Sequence, residues 1–523
     1  MQLYTRASIV LTLLLAVVSV HAASSLTPIL VKPVNASILD IGVWGDKLLV
    51  TGFCGNSPDT GFYEVISGGA TAALQAWSGR ESAGYRILVA GGDAYILGSY
   101  GGRPLLVDAG RGSAYTLSTS NTGAVIRGSL VDAIHLGNGL VVTGWATLYK
   151  QTSGPRKRVQ AGILVAIVKD GRVPEAYILG TDAAILSSDV RAARLGEGVL
   201  LAISARGGKS EPRPLLVYIR GSRIAWAYLG KQLAESPLYY TRLRITGLYS
   251  DGEKAVITMA AERSTGAAES IVILVDSRGV RAARIYAPRS GDVALATSPV
   301  IEDGRPVVYV TAGSRARLAF HTWRIILDED AEPASLFLLK STTPLKIIIP
   351  VKVSNGVLVA ATLRGYYITP LNSNEHSAVH QARDTMSHLS KYVRVSAYGF
   401  SKIKPLHVWL MRVNQQLKLV EARLGSQPQC GLRISPIQTQ GGAATTTRIT
   451  TRHTSAETTT TSPRTAESRV HATQTAAAQA QHATTTFANP GTRGASGATG
   501  LLIPAAIVGV VILAAILAFA RRR

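Results

Sequence analysis

The sequence predicts an all-β fold, and three observations support this prediction. Glycine is abundant, with 50 among 523 residues, whereas aromatic residues make up only 6%. Such a composition suits many short strands joined by tight turns. Apolar runs repeatedly flank a Gly-containing pair, which is a strong local signal for a β-hairpin. These hairpins recur at separations of about 42 to 59 residues, the period of a four-stranded unit.

The clearest hairpin is GILVAIVKDGRVPEAYILG, at Gly162–Gly180. An apolar run leads into Asp170-Gly171, and a second, alternating run follows it. Glycine accepts the positive φ angle that tight primed turns require, so this pair predicts a two-residue turn. The same plan recurs in three further segments, at Arg213–Gly230, Ser270–Pro288 and His407–Gly425.

A second kind of hairpin precedes these units. Its best examples are Ile38–Phe53, Tyr85–Tyr100, Leu130–Trp145 and Val190–Ala205. One hairpin of each kind makes a four-stranded unit, and about eight units follow one another. Repeated units of this kind predict a seven- or eight-bladed β-propeller, because ring closure removes exposed sheet edges. The seventh and eighth units match poorly, at Gly365–Arg383 and near Tyr392–Phe400, so both blade numbers fit. A right-handed β-solenoid is the main rival, although its repeats are normally much shorter.

Both ends of the chain carry targeting signals. Residues 1–22 are typical of a secretory signal peptide, since Arg6 precedes an apolar stretch and a small-residue cleavage site. Residues 501–520 contain no charge and are long enough to span roughly 30 Å of hydrocarbon as a transmembrane helix. Arginines at 521–523 then place a basic tail in the cytoplasm. We therefore expect a single-pass protein of the cell membrane, with its N-terminal ectodomain outside.

The composition changes abruptly after residue 437. Residues 438–500 are rich in Thr, Ser and Ala and hold almost no large apolar residue. Such a segment cannot bury enough surface to offset its ordering entropy, so we expect it to be disordered. Outside the cell, it is typical of an O-glycosylated stalk. The predicted ectodomain is then 23–437. It holds one N-glycosylation sequon, at Asn35, and a Pro-interrupted segment, Leu26–Val34, that we expect to be an edge strand.

The chain has two cysteines, Cys54 in the first repeat and Cys430 just after the last. An exported chain meets conditions that allow oxidation. We predict a disulfide bond between them rather than two free thiols. It would close a loop of about 376 residues. In the chain-entropy description, that loop stabilises the fold by on the order of 5 kcal/mol.

The formal net charge is +23. Setting aside +1 in the leader, +3 in 438–500 and +3 in the tail leaves +16 on the ectodomain. Much of this charge falls in connections between the second and third strands of the units, where clustered positive potential would attract anions. A solvated loop set on a basic protein is the alternative interpretation. The candidate binding residues are Lys150, Arg156, Lys157, Arg158, Arg206, Lys209, Arg213, Arg315 and Arg317, with Lys402 and Lys404 on the same rim.

Chemistry-bearing motifs are few. His376, His380, Asp384 and His388 recur every four residues, a spacing that would place metal ligands on one helix face. A surface loop is the competing interpretation. The sequence contains no Gly-x-Ser-x-Gly, P-loop or CxxC motif. We therefore assign no catalytic residue and expect no cofactor.

Over about residues 36–430, the repeats resemble those of β-propeller families with extracellular and quinoprotein-like members. The order of signal peptide, propeller, Thr-rich stalk and membrane helix resembles archaeal cell-surface proteins. We expect a binding or interaction module, whose partner is a surface-layer protein, an anionic glycan or a partner subunit. Nucleic acid is not expected, because basic residues are not interleaved with aromatic ones. The alternative is an extracellular hydrolase or quinone-dependent dehydrogenase. Ionisable residues lining a channel mouth would favour that enzyme.

Overall fold

The computed structural model describes residues 29–436, apart from 121–123, 138, 151–156, 208–210, 234–239, 315, 318, 342–356, 363–364, 371–378, 415 and 426–429. Within this part, the chain forms antiparallel sheets of four or five strands, an arrangement consistent with a propeller. The all-β prediction is confirmed. No helix among the described residues is long and apolar enough to cross a membrane. The predicted signal peptide, stalk, membrane helix and tail lie outside the described residues.

The first strand, β1 (Ile29–Val34), belongs to the last sheet, and the following sixteen strands form sheets 1 to 4 in chain order. Sheet 1 contains β2 (Ala36–Trp44), β3 (Lys47–Cys54), β4 (Thr60–Ser67) and β5 (Ala70–Ser78). Sheet 2 contains β6 (Ala83–Ala90), β7 (Asp93–Tyr100), β8 (Arg103–Asp108) and β9 (Ser113–Thr119). Sheet 3 contains β10 (Ala124–Leu136), β11 (Gly139–Lys150), β12 (Lys157–Lys169) and β13 (Arg172–Thr181). Sheet 4 contains β14 (Ile185–Leu195), β15 (Gly198–Gly207), β16 (Glu211–Arg220) and β17 (Arg223–Gly230).

The plan continues in sheets 5 to 7. Sheet 5 contains β18 (Tyr240–Ser250), β19 (Lys254–Arg263), β20 (Ala268–Asp276) and β21 (Gly279–Pro288). Sheet 6 contains β22 (Val293–Glu302), β23 (Arg305–Ser314), β24 (Ala319–Leu327) and β25 (Pro333–Ser341). One parallel pair, Ala268 with Val293, links these two sheets. Sheet 7 contains β26 (Val357–Thr362) and β27 (Gly365–Pro370), then β1, and finally β33 (Gly431–Pro436).

Between β27 and β33, the chain runs back along the outer edges of the earlier sheets. We call residues 379–425 the return segment. Its strands pair in turn with the fourth strands of sheets 6, 5, 4, 3 and 2, and Gly425 bridges to Ala76 of sheet 1. The elements are β28 (Val379–Arg383), α1 (Met386–Tyr392), β29 (Val393–Ala397), β30 (Phe400–Lys402), a 3-10 turn (Pro405–His407), β31 (Val408–Arg412) and β32 (Leu417–Ala422).

The return segment overturns two predicted hairpins. In His407–Gly425, β31 pairs with β13 and β32 pairs with β9, so the two strands do not pair with each other. In Gly365–Arg383, β27 stays in sheet 7, whereas β28 joins sheet 6. The predicted eighth strand pair near Tyr392–Phe400 is likewise wrong. Apolar alternation identifies each strand, but it does not reveal which sheet edge the strand joins.

The hairpin Gly162–Gly180 is confirmed as β12 and β13. Its turn residues Asp170 and Gly171 have φ angles of 51° and 70°, as a two-residue primed turn requires. Residues of the first strands of sheets 1, 2, 3, 4 and 6 share one hydrophobic cluster. The first strands of neighbouring sheets pack against each other, and in sheets 2 to 6 the return segment pairs with the strand at the opposite side of the sheet.

In sheet 7, β1 pairs with β27 on one side and with β33 on the other. The prediction of an edge strand at Leu26–Val34 is therefore wrong. Strand β1 can contain a proline because Pro33 lies beyond the residues that pair with β27 and pairs only with Leu432. Proline lacks an N–H donor, so a position with a partner strand on one side tolerates it.

The predicted disulfide bond is confirmed. Cys54, at the end of β3, is bonded to Cys430, just before β33, and their Cα atoms lie 5.6 Å apart. Cys430 is buried. The bond joins sheet 1 to the last strand of sheet 7, so it fixes the end of the return segment to the start of the fold.

We predict that replacing both cysteines with alanine lowers the free energy of unfolding by several kcal/mol. The closed loop holds 376 residues, and the chain-entropy description gives a loss on the order of 5 kcal/mol. Denaturant unfolding of the full-length variant C54A/C430A measures the change. A Ser-to-Ala pair at the exposed positions Ser396 and Ser401 of the return segment is the control. Equal unfolding midpoints for wild type and the cysteine variant would contradict the prediction.

Candidate functional site

The strand order gathers one class of connection at one edge of the sheets. Backbone hydrogen bonds join neighbouring sheets there: Gly102, between β7 and β8, donates to Glu81 O at 3.3 Å, and Gly128, in β10, donates to Gly102 O at 2.9 Å. Ala268, at the start of β20, likewise donates to the O atom of Asp292, which lies between sheets 5 and 6, at 2.9 Å. The connections between second and third strands and between successive sheets lie on this side. We call this side the connection edge; the tight hairpin turns lie at the opposite side.

The described residues of the predicted basic set lie in, or next to, the second and third strands of their sheets. Lys150 ends β11, Arg206 is near the end of β15, and Arg317 lies between β23 and β24; all three are exposed. Arg213 is in β16 and is partly buried. The backbones of Lys157 and Arg158 begin β12, and their side chains are not described. Arg156, Lys209 and Arg315 lie outside the described residues. A binding role for the set stays a prediction.

Two other basic residues lie elsewhere than predicted. Lys402 ends β30 and Lys404 precedes the 3-10 turn, so both belong to the return segment and not to a loop of an eighth unit. Both are exposed. Strand β30 pairs with β17 of sheet 4, which brings these residues beside that sheet.

At the connection edge of sheet 4, a shallow pocket of about 430 Å³ lies across three neighbouring strands. It is lined by Arg213, Leu229, Gly230, Lys231, Gln232 and Ser401. Leu229 pairs with Leu215 of β16 on one side and with Ser401 of β30 on the other. Arg213 and Lys231 each lie two residues further along neighbouring strands, so both side chains are on the pocket face.

The return segment positions Lys231. The Lys231 N–H donates to Gly399 O at 2.9 Å, and the Tyr398 hydroxyl donates to Lys231 O at 2.6 Å. A Cβ atom at Gly399 would lie 2.7 Å from Lys231 Cδ, so the lysine stem crosses the backbone there. The lysine stem therefore packs against the Gly399 backbone, and a side chain at 399 would displace it.

The lining gives the pocket a defined chemistry. Its charged residues are Arg213 and Lys231, and no carboxylate is among the six lining residues. Gln232 and Ser401 add neutral hydrogen-bonding groups. Pockets of roughly 300–1,000 Å³ are the usual size for small ligands. A carboxylate, sulfate or phosphate group in the pocket would form charge-assisted hydrogen bonds with these cationic side chains.

Sequence reasoning identified Arg213 but missed Lys231, Gln232 and Ser401. Lys231 and Gln232 follow Gly230 in a connection between sheets, whereas the predicted basic residues belong to connections within sheets. Ser401 becomes part of the pocket through the pairing of β30 with β17, for which the sequence holds no signal.

A second group of charged residues lies on the first strands. Asp40, Arg86, Asp132 and Arg191 occupy one position, five residues before the first glycine of the following turn. Arg86 lies 3.4 Å from an Asp40 oxygen and 3.6 Å from an Asp132 oxygen. The alternation of acid and base was visible in the aligned hairpins and was not recognised as a signal.

The aspartates join each sheet to the next. Asp40 accepts a hydrogen bond from Ile87 N–H at 2.8 Å, and Asp132 accepts one from Ala192 N–H at 2.9 Å. Asp189 similarly accepts from Ile245 N–H at 2.8 Å. Burial raises the pKa of Asp40, and the nearby Arg86 opposes that rise. Ionisable residues lining a channel mouth were expected if the protein were an enzyme. The contacts of these first-strand residues instead serve the packing of neighbouring sheets.

Burial also perturbs the carboxyl group of Asp189. It is 1% exposed, and its Oδ1 atom has no hydrogen-bond partner. Burial raises its pKa to about 6, although Arg191 and the Ile245 N–H favour the charged form. A group so deeply buried is out of reach of a substrate in this conformation, so we assign it to the packing of sheets 4 and 5.

The predicted metal candidates do not share one helix face. His380 lies in β28 and His388 in α1, while His376 is outside the described residues. Asp384 accepts hydrogen bonds from the Trp323 indole at 2.6 Å and pairs with His388 Nδ1 at 2.7 Å. Burial alone would raise the pKa of Asp384, but these bonds and the Thr385 N–H lower it. Among the described residues, no set of three His, Cys, Asp or Glu side chains could hold a metal ion.

Asn35, the predicted glycosylation site, is exposed between β1 and β2 at the connection edge. Its modification stays a prediction.

Comparisons with known proteins add little. No family model matches the chain, and no curated protein matches it. The chain is similar to a solved structure of a Mycobacterium tuberculosis puromycin-hydrolysing peptidase, with 14% sequence identity and a TM-score of 0.38. The match covers 73% of this chain and 54% of the peptidase, so this chain spans about half of that protein's length. A likeness this weak carries no conclusion about fold or function.

We predict that Asp189→Asn makes stability less dependent on pH between 4 and 6. The folded carboxyl has a pKa of about 6 against an ordinary 3.8, so the folded state binds more protons in that window. Stability is therefore lost as pH rises from 4 through 6, by on the order of 3 kcal/mol for this group. Asparagine keeps an oxygen for the Ile245 N–H but does not titrate.

Urea unfolding midpoints of the full-length protein at pH 4, 5, 6 and 7 test this expectation. Asp46→Asn, at an exposed hairpin turn, is the matched control for an Asp-to-Asn replacement at the surface. A pH slope for Asp189→Asn as steep as that of wild type would contradict the assignment.

Proposed function

We propose that this chain is a membrane-anchored, extracellular β-propeller of seven blades that binds an anionic glycan at its connection edge. Sheets 1 to 6 supply six four-stranded blades, and sheet 7 supplies the last. In the seventh blade, β1 from the N-terminus takes the place of the fourth strand. In this sheet, β1 pairs with β33, and a pairing between early and late strands would close the ring of a propeller.

The pocket of Arg213 and Lys231 is the observation that carries the proposed binding function. It combines two cations, two neutral hydrogen-bonding side chains and no carboxylate. Carboxylate and sulfate groups of acidic sugars match that lining, and sugar hydroxyls match Gln232 and Ser401. The exposed Lys150, Arg206 and Arg317 at strand ends would extend the positive potential and speed the encounter with a polyanion.

The disulfide bond supports an exported location. Stable disulfides form in oxidising compartments and are rare in the cytosol. The bond between Cys54 and Cys430 therefore agrees with the signal peptide and the C-terminal membrane helix that the sequence predicts. A surface-layer protein or partner subunit that displays acidic sugars would use the same site.

We predict that Lys231→Gln weakens binding of an acidic polysaccharide about tenfold. One charge-assisted hydrogen bond contributes about 1.5–3 kcal/mol, and part of this is screened at an open site. Full-length protein in detergent micelles is titrated with polygalacturonate and with neutral dextran at two salt concentrations. Arg213→Gln should act in the same direction.

Lys169→Gln is the matched control, because this exposed lysine lies at a hairpin turn on the other side of the sheets. It should bind as wild type does. If wild type binds polygalacturonate no better than dextran, or if Lys231→Gln and Lys169→Gln lose equally little, the proposed site is wrong.

A further inference from the structure

The return segment exposes an unusual share of large apolar side chains. Among the described residues, six large hydrophobic side chains are exposed, and five of them lie on this segment. They are Met386, Leu406, Trp409, Met411 and Val420. Three of these fall between residues 406 and 411. We call residues 402–412, which hold these three side chains, the rim stretch.

The rim stretch lies at the outside of two neighbouring sheets. Its first residue ends β30, which pairs with the fourth strand of sheet 4. Its last residues form β31, which pairs with the fourth strand of sheet 3. Among the described residues, β30 and β31 are outermost in their sheets, and eight of the eleven residues of the rim stretch are exposed. The stretch is therefore open to a partner along most of its length.

Apolar side chains project from the rim stretch. Leu406, in the 3-10 turn, is 88% exposed. Trp409 and Met411 follow in β31, where they pair with Gly180 and Ile178, so both side chains lie on the same face of the strand. The Cα atoms of Leu406 and Trp409 lie within about 11 Å of each other, because three residues of chain span no more. The exposed apolar side chains are therefore close neighbours at the rim.

Buried neighbours fix the strand that carries these side chains. Val408 is buried, and Leu410 packs against a hydrophobic core cluster. The Trp409 indole lies against Gly180, since a Cβ atom there would lie 2.5 Å from the indole nitrogen. The exposed residues thus belong to an ordered backbone, and less conformational entropy is lost when they bind a partner.

The charge of the rim stretch is positive. It contains no Asp or Glu, and its exposed cations are Lys402, Lys404 and Arg412. Two carboxylates on sheet 3 and its exit have partners of their own. Asp182 pairs with His407 at 3.0 Å, and Glu175 accepts a hydrogen bond from Tyr177 at 2.8 Å. An anionic partner therefore matches the charge of this surface.

We propose that the rim stretch docks on an anionic lipid bilayer. Leu406, Trp409 and Met411 would enter the boundary between headgroups and acyl chains, and the three cations would lie among the anionic headgroups. Apolar side chains combined with Lys and Arg are typical of proteins that bind at a membrane interface, where tryptophan is enriched. A second copy of this chain is a poorer partner, because it would bring the same cations together.

Tethering would make a weak docking surface sufficient. This inference rests on the membrane anchorage of the proposed function. The predicted membrane helix and stalk would hold the rim near the bilayer at an effective concentration on the order of millimolar. A surface of few residues could then keep the ectodomain docked, although it would not recruit an untethered protein.

Quenching of tryptophan fluorescence by lipid tests the docking. Full-length protein is reconstituted in vesicles of phosphatidylcholine and phosphatidylglycerol with brominated acyl chains, which quench an indole that reaches them. Trp409 is the most exposed of the six tryptophans. We expect quenching of wild type that rises with the phosphatidylglycerol fraction and is absent in Trp409→Phe.

Variants that keep Trp409 separate the apolar from the basic contribution. Leu406→Ser should reduce quenching and leave the unfolding midpoint unchanged, because the side chain is exposed. Lys402→Gln with Lys404→Gln should weaken docking about fivefold per lysine. Met386→Ser, at an exposed position beside sheet 6, is the apolar control. A double variant at exposed hairpin turns of sheet 5 is the charge control: Lys254→Gln with Arg278→Gln.

The outcomes separate docking from anchorage and from glycan binding. If quenching does not depend on phosphatidylglycerol, if Trp409→Phe is quenched as wild type is, or if the control variants lose as much as the rim variants, the docking surface is wrong. If wild type is not quenched but stays in the vesicles after an alkaline wash, docking falls and the anchor stands. Protein that the wash removes would overturn the anchorage as well. Glycan binding is measured in micelles, so its failure is seen independently.

Discussion

An open sheet edge exposes unpaired N–H and C=O groups, and the arrangement of this chain follows from covering such edges. The fourth strand of each sheet lies outermost among the strands of its own repeat. In sheets 2 to 6, a short strand of the return segment pairs with it, and Gly425 forms a single bridge in sheet 1. These pairings join residues that are far apart in the sequence, so forming them costs conformational entropy. The disulfide between Cys54 and Cys430 lowers much of that entropy cost, since it restricts the unfolded chain.

The sheets are joined on their other side by polar contacts. Carboxylates of Asp40, Asp132 and Asp189 accept hydrogen bonds from the backbone of the following sheet. Buried charges are costly unless they are paired, and Arg86 and Arg191 provide opposite charges nearby. Replacing one partner alone would leave a buried charge without compensation. The packing of first strands therefore depends on the set as a unit, which explains why charged residues occupy an apolar core.

The candidate site exists because of the return segment. Strand β30 brings Ser401 beside Leu229, and Tyr398 and Gly399 hold Lys231 through its backbone. Without this segment, the repeat unit would present Arg213, Leu229 and Lys231 at an open sheet edge. The same covering strands that satisfy the sheet edges thus complete the basic pocket.

The amino-acid sequence by itself determined the strands, most turns and the disulfide. The pair Asp170-Gly171 predicts a turn because the turn depends only on the φ angles of these two residues. Alternation of apolar residues identifies strands such as β12 and β31 because burial of one strand face leaves a local pattern in the sequence. Only the tertiary structure decided which strands pair. His407–Gly425 has the pattern of a hairpin, yet its halves join sheets 3 and 2, because pairing depends on which edges are open once the whole chain has folded. For the same reason, Arg213 was predicted from its connection, whereas Lys231 and Ser401 became neighbours through a pairing between strands distant in the chain.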